Sequence, residues 1–156
     1  MKKLLVLFAF ALLTATVFPA SARAYTEIAL KIGDQYAEIN GGWHRLDAAP
    51  YLRNGRTMVP LRFIAGAFGA DVAGYGTESG IQARIVFRNV TVFLTEGDRA
   101  AHFINEAGSD LVVAMDAAPE IKNGRMFVPI RFIASNFGCD VDWDPVDQLV
   151  IIVLNN

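Results

Sequence analysis

The sequence predicts an α+β fold made of two tandem repeats, each with antiparallel β-strands and hairpins and one short helix, packed together. Three observations predict it. Residues 47–72 recur as residues 116–141, with 17 of 26 aligned positions identical. Apolar and polar residues alternate on either side of glycine-containing turns, as they do in half-buried strands. A proline followed by apolar residues at helical spacing occurs in both copies.

The first 24 residues resemble a signal peptide. Lys2 and Lys3 precede an apolar stretch over residues 4–17, and Ala22-Arg23-Ala24 has the small-x-small pattern of a cleavage site. The stretch is short for a membrane span of about 20 residues. We therefore expect cleavage after Ala24 rather than a retained anchor, and a secreted or envelope-associated protein with no stable membrane insertion.

The charge balance limits the partners of the mature chain. The whole chain has 14 basic and 16 acidic residues. Removing Lys2, Lys3 and Arg23 leaves 11 basic residues against the same 16 acids, a net charge of −5. Nucleic acids and anionic lipids need clustered lysine and arginine, so neither is expected. Cys139 is the only cysteine; we interpret it as a small buried hydrophobic residue.

The repeat extends beyond its most similar segment. Upstream, Leu30, Gly33, Asp34 and Ala37 align with Leu94, Gly97, Asp98 and Ala101; downstream, residues 82–87 align with 148–153 after a three-residue gap. We predict repeat 1 over residues 25–89 and repeat 2 over residues 90–156. Only residues 88–90 separate the similar segments, too few for a free linker, so the repeats are predicted to form one compact domain.

Local chemistry predicts the elements of each repeat. Residues 28–32 alternate as a strand, and residues 36–39 return after a turn. Asn54-Gly55 is typical of a type I′ hairpin. Pro60 is placed to start a helix over residues 60–68, and Gly69 to end it. β-branched strands over residues 81–87 and 149–154 close the units. The shared core is predicted to include Phe63, Ile64, Phe68, Phe132, Ile133 and Phe137.

The motif common to both copies identifies a family resemblance. Its residues are Asn54, Gly55, Arg56, Pro60, Arg62 and Gly69 in the first copy, and Asn123, Gly124, Arg125, Pro129, Arg131 and Gly138 in the second. With Trp143-Asp144 after the second copy, the pattern resembles the copper amine oxidase N-terminal domain-like family, also called the stalk domain. The first copy departs from it after Val72, with Ala73-Gly74-Tyr75 where the Trp-Asp is expected. The resemblance implies an accessory role in exported proteins and no amine oxidation.

The residues that carry catalysis or bind metals are sparse. A copper site usually needs several imidazoles, whereas His44 and His102 are the only histidines and lie at non-equivalent positions. No Gly-x-Ser-x-Gly motif is present. The acids around Trp143 resemble neither an EF-hand loop nor, in our interpretation, a glycosidase pair; we interpret them as a solvated turn. The sequence therefore predicts no metal, no cofactor and no enzymatic activity.

Arg62 and Arg131 have two interpretations. A cation in the first turn opposes the helix dipole, so its recurrence indicates a partner. One interpretation is an anion-binding pair. The other, which we favour, is a buried bridge to Asp47 and Asp116 or to Asp71 and Asp140, because both copies keep these acids.

Two functions are compatible with these features. The first is a non-catalytic structural or adhesive envelope module that binds wall polymer or an envelope protein, with Trp43, Tyr51, Tyr75 and Trp143 as candidate binding residues. The second is a secreted inhibitor or regulator of an exported enzyme. An exposed aromatic patch lined with polar groups favours the first, and a protruding mobile loop the second.

Overall fold

The computed structural model of the chain describes residues 25–155, and these residues are mostly β. Strands contain 58% of them and helices 11%. The strands form three antiparallel sheets. The prediction of an α+β fold is therefore wrong, because each helix is a single short element while nearly every other alternating segment pairs as a strand. The predicted signal peptide lies outside the described residues.

Both halves have the same order of elements. The first contains β1 (Tyr25–Lys31), β2 (Tyr36–Ile39), β3 (Gly42–Arg45), β4 (Tyr51–Arg53), β5 (Arg56–Pro60), α1 (Leu61–Ala67), β6 (Asp71–Thr77) and β7 (Gly80–Phe87). The second contains β8 (Val90–Thr95), β9 (Ala100–Asn105), β10 (Asp110–Ala114), β11 (Glu120–Lys122), β12 (Arg125–Pro129), α2 (Ile130–Phe137), β13 (Cys139–Asp144) and β14 (Leu149–Asn155). Neither helix is long and apolar enough to cross a membrane.

The predicted hairpin turn and the glycines that end the helices are confirmed, and the helix starts are shifted by one residue. Asn54 and Gly55 have φ values of 49° and 73°, the two positive values that a type I′ turn needs, and they join β4 to β5. Pro60 and Pro129 are extended residues immediately before their helices, so each helix begins one residue later than predicted. Gly69 and Gly138, with φ values of 75° and 72°, follow the helices in the left-handed conformation.

The sheets mix strands from both repeats. Sheet I has the order β13-β14-β1-β2-β3, sheet II the order β10-β9-β8-β7-β6, and the junction sheet the order β11-β12-β5-β4. The longest contact between the repeats joins β1 to β14 over seven pairs, from Tyr25↔Asn155 to Lys31↔Leu149. Each five-stranded sheet thus takes three strands from one predicted repeat and two from the other.

The junction sheet places a pseudo-twofold axis between the repeats. β5 pairs with β12 through Met58↔Pro129, Val59↔Val128 and Pro60↔Phe127. Exchanging each residue for its equivalent in the other repeat reproduces the same pairing, as in an isologous interface. The axis passes through the Val59–Val128 pair, and both valines are fully buried.

The strand register corrects the downstream alignment. Val72 pairs with Ile85, and its equivalent Val141 pairs with Ile152. Ile85 therefore corresponds to Ile152 and not, as the three-residue gap implied, to Ile151; the gap is two residues. The difference matters because a one-residue slip moves every side chain to the other face of a sheet.

One hydrophobic cluster contains buried residues of both repeats. Ile64, Phe68, Phe132, Ile133 and Phe137 belong to it, and Phe63 packs against it half-buried. The repeat boundaries and the unfolding of both repeats as one domain stay predictions.

Candidate functional site

Two ion pairs cross the pseudo-twofold axis. Arg125 Nε donates to Asp47 Oδ2 at 2.9 Å, and Arg56 Nε donates to Asp116 Oδ2 at 3.0 Å. All four side chains are partly exposed, by 41–45%. Each pair joins the hairpin arginine of one repeat to the aspartate of the other, because the junction sheet brings the two hairpins across the axis.

The favoured bridges of Arg62 and Arg131 are therefore wrong. Both arginines are exposed, and among residues 25–155 neither forms an ion pair. Asp47 and Asp116 are paired with the hairpin arginines instead, and the other two candidate acids, Asp71 and Asp140, are exposed. These two ion pairs could not be predicted from the sequence, because their partners lie 60 and 78 residues apart in the chain.

A pocket lies beside each ion pair. The α2 pocket, of about 250 Å³, is lined by Arg56, Thr57, Asp116, Arg131 and Trp143 together with Gly55 and apolar residues of β4, β12, α2, β13 and β14. The α1 pocket, of about 90 Å³, contains Asp47, Arg62 and Arg125. All eleven lining residues of the α2 pocket have their structural equivalents in the α1 pocket. The two pockets are thus pseudo-symmetric copies built from both repeats.

The four predicted binding aromatics do not form one site. Trp143 is half-buried against the core and lines the α2 pocket. Trp43 lies on β3 and is 73% exposed. Tyr75 lies on β6 in sheet II, where its hydroxyl donates to Gln82 Oε1 at 2.6 Å. The Tyr51 hydroxyl donates to the Glu120 carboxylate, and its ring contacts that of Phe127 edge-on at 4.9 Å. Tyr51 therefore holds the junction together.

Sheet I carries an exposed aromatic pair that sequence reasoning found only in part. In the β2–β3 register Tyr36 pairs with Arg45, and Glu38 pairs with Trp43. These four side chains share the face opposite the buried Ala37, which we call the outer aromatic face. Tyr36 is 52% exposed. The alternation of Tyr36, Ala37 and Glu38 along a predicted strand was the signal that could have identified it.

The histidines and the cysteine lie apart. His102 Nδ1 is 3.0 Å from Asp110 Oδ2 on sheet II, whereas His44 lies on β3 of sheet I. Within residues 25–155 no group of three or more His, Cys, Asp or Glu residues could hold a metal ion. Burial raises the pKa of the Cys139 thiol from 9.0 to about 11, with a smaller contribution from Asp140. Cys139 is therefore a neutral thiol at physiological pH.

The acids after α2 serve a turn. Asp144 Oδ1 accepts hydrogen bonds from the backbone N–H of Val146 at 2.8 Å and of Asp147 at 3.4 Å. Both bonds stay within the connection between β13 and β14, as in an Asx turn.

Two segments of the chain match the same protein-family model. The family model described as "Copper amine oxidase N-terminal domain" matches residues 16–83 and 77–152. The chain belongs to this family. The two matches confirm the predicted tandem resemblance, and the family is a non-catalytic stalk domain family. No curated protein and no solved structure matches the chain.

Most residues of the stalk-family motif have architectural roles in this chain. Asn54 and Gly55 form the hairpin turn, and Arg56 makes the ion pair across the axis. Pro60 precedes the helix and Gly69 follows it. Arg62 and Arg131 are the exceptions, since each lines a pocket without an acidic partner among the described residues.

Proposed function

We propose that this protein is an exported, non-catalytic envelope module with an accessory role, which binds cell-wall polymer. The observation that carries the proposal is the match of both repeats to a non-catalytic stalk domain family. Purified mature protein is accordingly expected not to oxidise amines. Stoichiometric copper that survives dialysis against a chelator would contradict this part of the proposal.

The outer aromatic face supports a binding role. Trp43 and Tyr36 expose 73% and 52% of their surface on one side of sheet I, and exposed apolar patches rimmed by polar groups mark binding surfaces. The flat faces of aromatic rings suit the apolar faces of sugar rings. Glu38 and Arg45 lie beside them and supply acceptors and donors for sugar hydroxyls.

Sedimentation with purified cell wall tests this role. Mature protein is expected to sediment with the wall. A Trp43→Ala, Tyr36→Ala double variant is expected to lose most of that binding. Val112→Ala is the matched control, because Val112 occupies the position on sheet II that corresponds to Trp43. A protein that stays in solution but captures one secreted enzyme would instead favour an inhibitor or regulator.

The leader supports export. Lys2, Lys3 and the cleavage pattern Ala22-Arg23-Ala24 are typical of a secretory signal peptide. The intact mass of the protein from the culture medium or envelope is expected to correspond to a chain beginning at Tyr25. Recovery of a membrane-bound form that retains residues 1–24 would overturn this expectation.

A further inference from the structure

The two pseudo-symmetric pockets differ at five of their eleven equivalent positions, and two of these differences change the chemistry of the pocket. Trp143 in the α2 pocket stands where the α1 pocket has Gly74, and Thr57 stands where the α1 pocket has Met126. The strand register establishes the first equivalence, since Trp143 pairs with Val150 as Gly74 pairs with Ala83. Of these two pockets, only the α2 pocket has an aromatic wall and a hydroxyl group.

The α2 pocket is locally positive. Arg56 is held by Asp116 Oδ2 at 3.0 Å and by the Asn54 carbonyl at 2.9 Å. Arg131 has no acidic partner among residues 25–155. The pocket therefore contains two guanidinium groups and one carboxylate, within a mature chain of net charge −5. A single added carboxylate balances this site, and guanidinium groups bind carboxylates with a matching planar fork.

We propose that the α2 pocket binds one uronic-acid unit, a sugar ring with a single carboxylate. The carboxylate pairs with Arg131, the ring lies against Trp143, and Thr57 bonds a ring hydroxyl. A cavity of about 250 Å³ is smaller than the roughly 300–1,000 Å³ of pockets for drug-sized ligands, so it suits one ring. The inference rests on the proposed function, because it names the sugar unit that the wall-binding module recognises.

The aromatic wall and the hydroxyl favour a sugar over other carboxylates. An apolar carboxylate needs no hydroxyl partner, and a small inorganic anion needs no aromatic wall. The α1 pocket keeps the cation Arg62 but has neither feature and encloses only about 90 Å³. It therefore serves as the internal control. Both repeats contribute to the site, since Arg56 and Thr57 come from one and Arg131 and Trp143 from the other.

Tryptophan fluorescence gives a direct test. In a Trp43→Phe background Trp143 is the only tryptophan, and its emission is titrated with glucuronate and, separately, with glucose. Glucuronate is expected to change the emission at lower concentration than glucose. Arg131→Gln is expected to weaken glucuronate binding about ten- to hundredfold, the usual effect of losing a charged hydrogen bond. Arg62→Gln, in the α1 pocket, is expected to leave it unchanged, and both variants are checked for an unaltered melting temperature.

Three outcomes overturn the inference: no Trp143 response to glucuronate, equal binding of glucose and glucuronate, or equal weakening by Arg131→Gln and Arg62→Gln. Wall sedimentation of protein with Trp43 intact separates this failure from failure of the proposed function. If the wall is bound without any glucuronate response, only the inference falls. If glucuronate binds with dependence on Arg131 but the wall does not, the pocket takes the free sugar acid and the wall-binding function falls.

Discussion

Sheets I and II are built alike on the inside and differently on the outside. Their inward positions match closely, and every one of these residues is at most 1% exposed: Ile28 with Val92, Leu30 with Leu94, and Ala37 with Ala101. Their outward positions differ in size and charge: Ala29 with Phe93, Glu38 with His102, and Trp43 with Val112. Close packing restricts which side chains fit at the inward positions, whereas outward positions face solvent and tolerate side chains of different size and charge. Functional differences between the halves are therefore expected on the outer faces and in the pockets.

Separating the repeats should have the largest effect. Residues 25–89 lose the β14 partner of β1, and residues 90–156 lose the β7 partner of β8. A unit of about 60 residues buries only about 60% of its unfolded surface and is marginal alone. We expect neither fragment to fold as a monomer and an equimolar mixture to regain the circular dichroism of the whole. Two fragments that each melt near the temperature of residues 25–156 would show independent domains.

Equivalent core residues should contribute equally. Ile85 and Ile152 are both fully buried and occupy corresponding positions. Replacing either with alanine is expected to lower the free energy of unfolding by about 2–5 kcal/mol, measured by urea denaturation. Ile151→Ala is the control, since Ile151 lies on the opposite face and is only half-buried. An Ile151 variant as unstable as the Ile152 variant would refute the register.

The junction is the place where the two repeats have become complementary. Tyr51 and Glu120 occupy equivalent positions. Glu120 accepts a hydrogen bond from Tyr51 and forms an ion pair with Arg53, whose Nη1 lies 2.6 Å from Glu120 Oε2. Tyr51→Glu would place two carboxylates together. We expect a loss of about 1–3 kcal/mol in the free energy of unfolding, the cost of an unsatisfied polar group. Tyr36→Glu, on the exposed outer aromatic face, should change it by less than about 0.5 kcal/mol; equal effects would contradict a special role for the junction.

The ion pairs across the axis should contribute less than the core. Partly exposed pairs contribute about 0–1 kcal/mol, so Arg56→Met and Arg125→Met are each expected to lower the free energy of unfolding within that range. Arg62→Met and Arg131→Met should change it by less than about 0.5 kcal/mol. A buried ion pair that loses one partner typically costs about 3 kcal/mol or more. If Arg131→Met lowers the free energy of unfolding by that much, Arg131 forms a buried bridge, contrary to the structure.

Cys139 is one of the positions at which the two repeats differ. Its equivalent in the first repeat is Ala70. With its pKa raised from 9.0 to about 11, the folded thiol has about a hundredfold less thiolate at pH 8 than an ordinary cysteine. Alkylation by iodoacetamide should therefore be slow at pH 8 and accelerate as the pH rises toward 11. Denatured protein is the control, and equal rates in both states would contradict the partial burial of this thiol.

Local features were determined by the sequence itself. The Asn54-Gly55 turn, the helix starts after Pro60 and Pro129 and the left-handed helix ends at Gly69 and Gly138 follow from the conformations that these residues favour. The internal repeat and the family could also be recognised from the sequence, since both depend only on residue identity. Each of these features involves residues close together in the chain or compared one by one.

Only the tertiary structure decided which distant segments meet. The pairing of β1 with β14, the exchange of ion pairs between Arg56 and Asp116 and between Arg125 and Asp47, and the binding of Glu120 by Tyr51 all join residues 60 or more positions apart. Alternation shows that a strand has one buried face. It does not show which strand lies beside it, because many strands in the chain have the same alternation. The choice among them depends on how the two repeats bury their inner rows together, which no single segment contains.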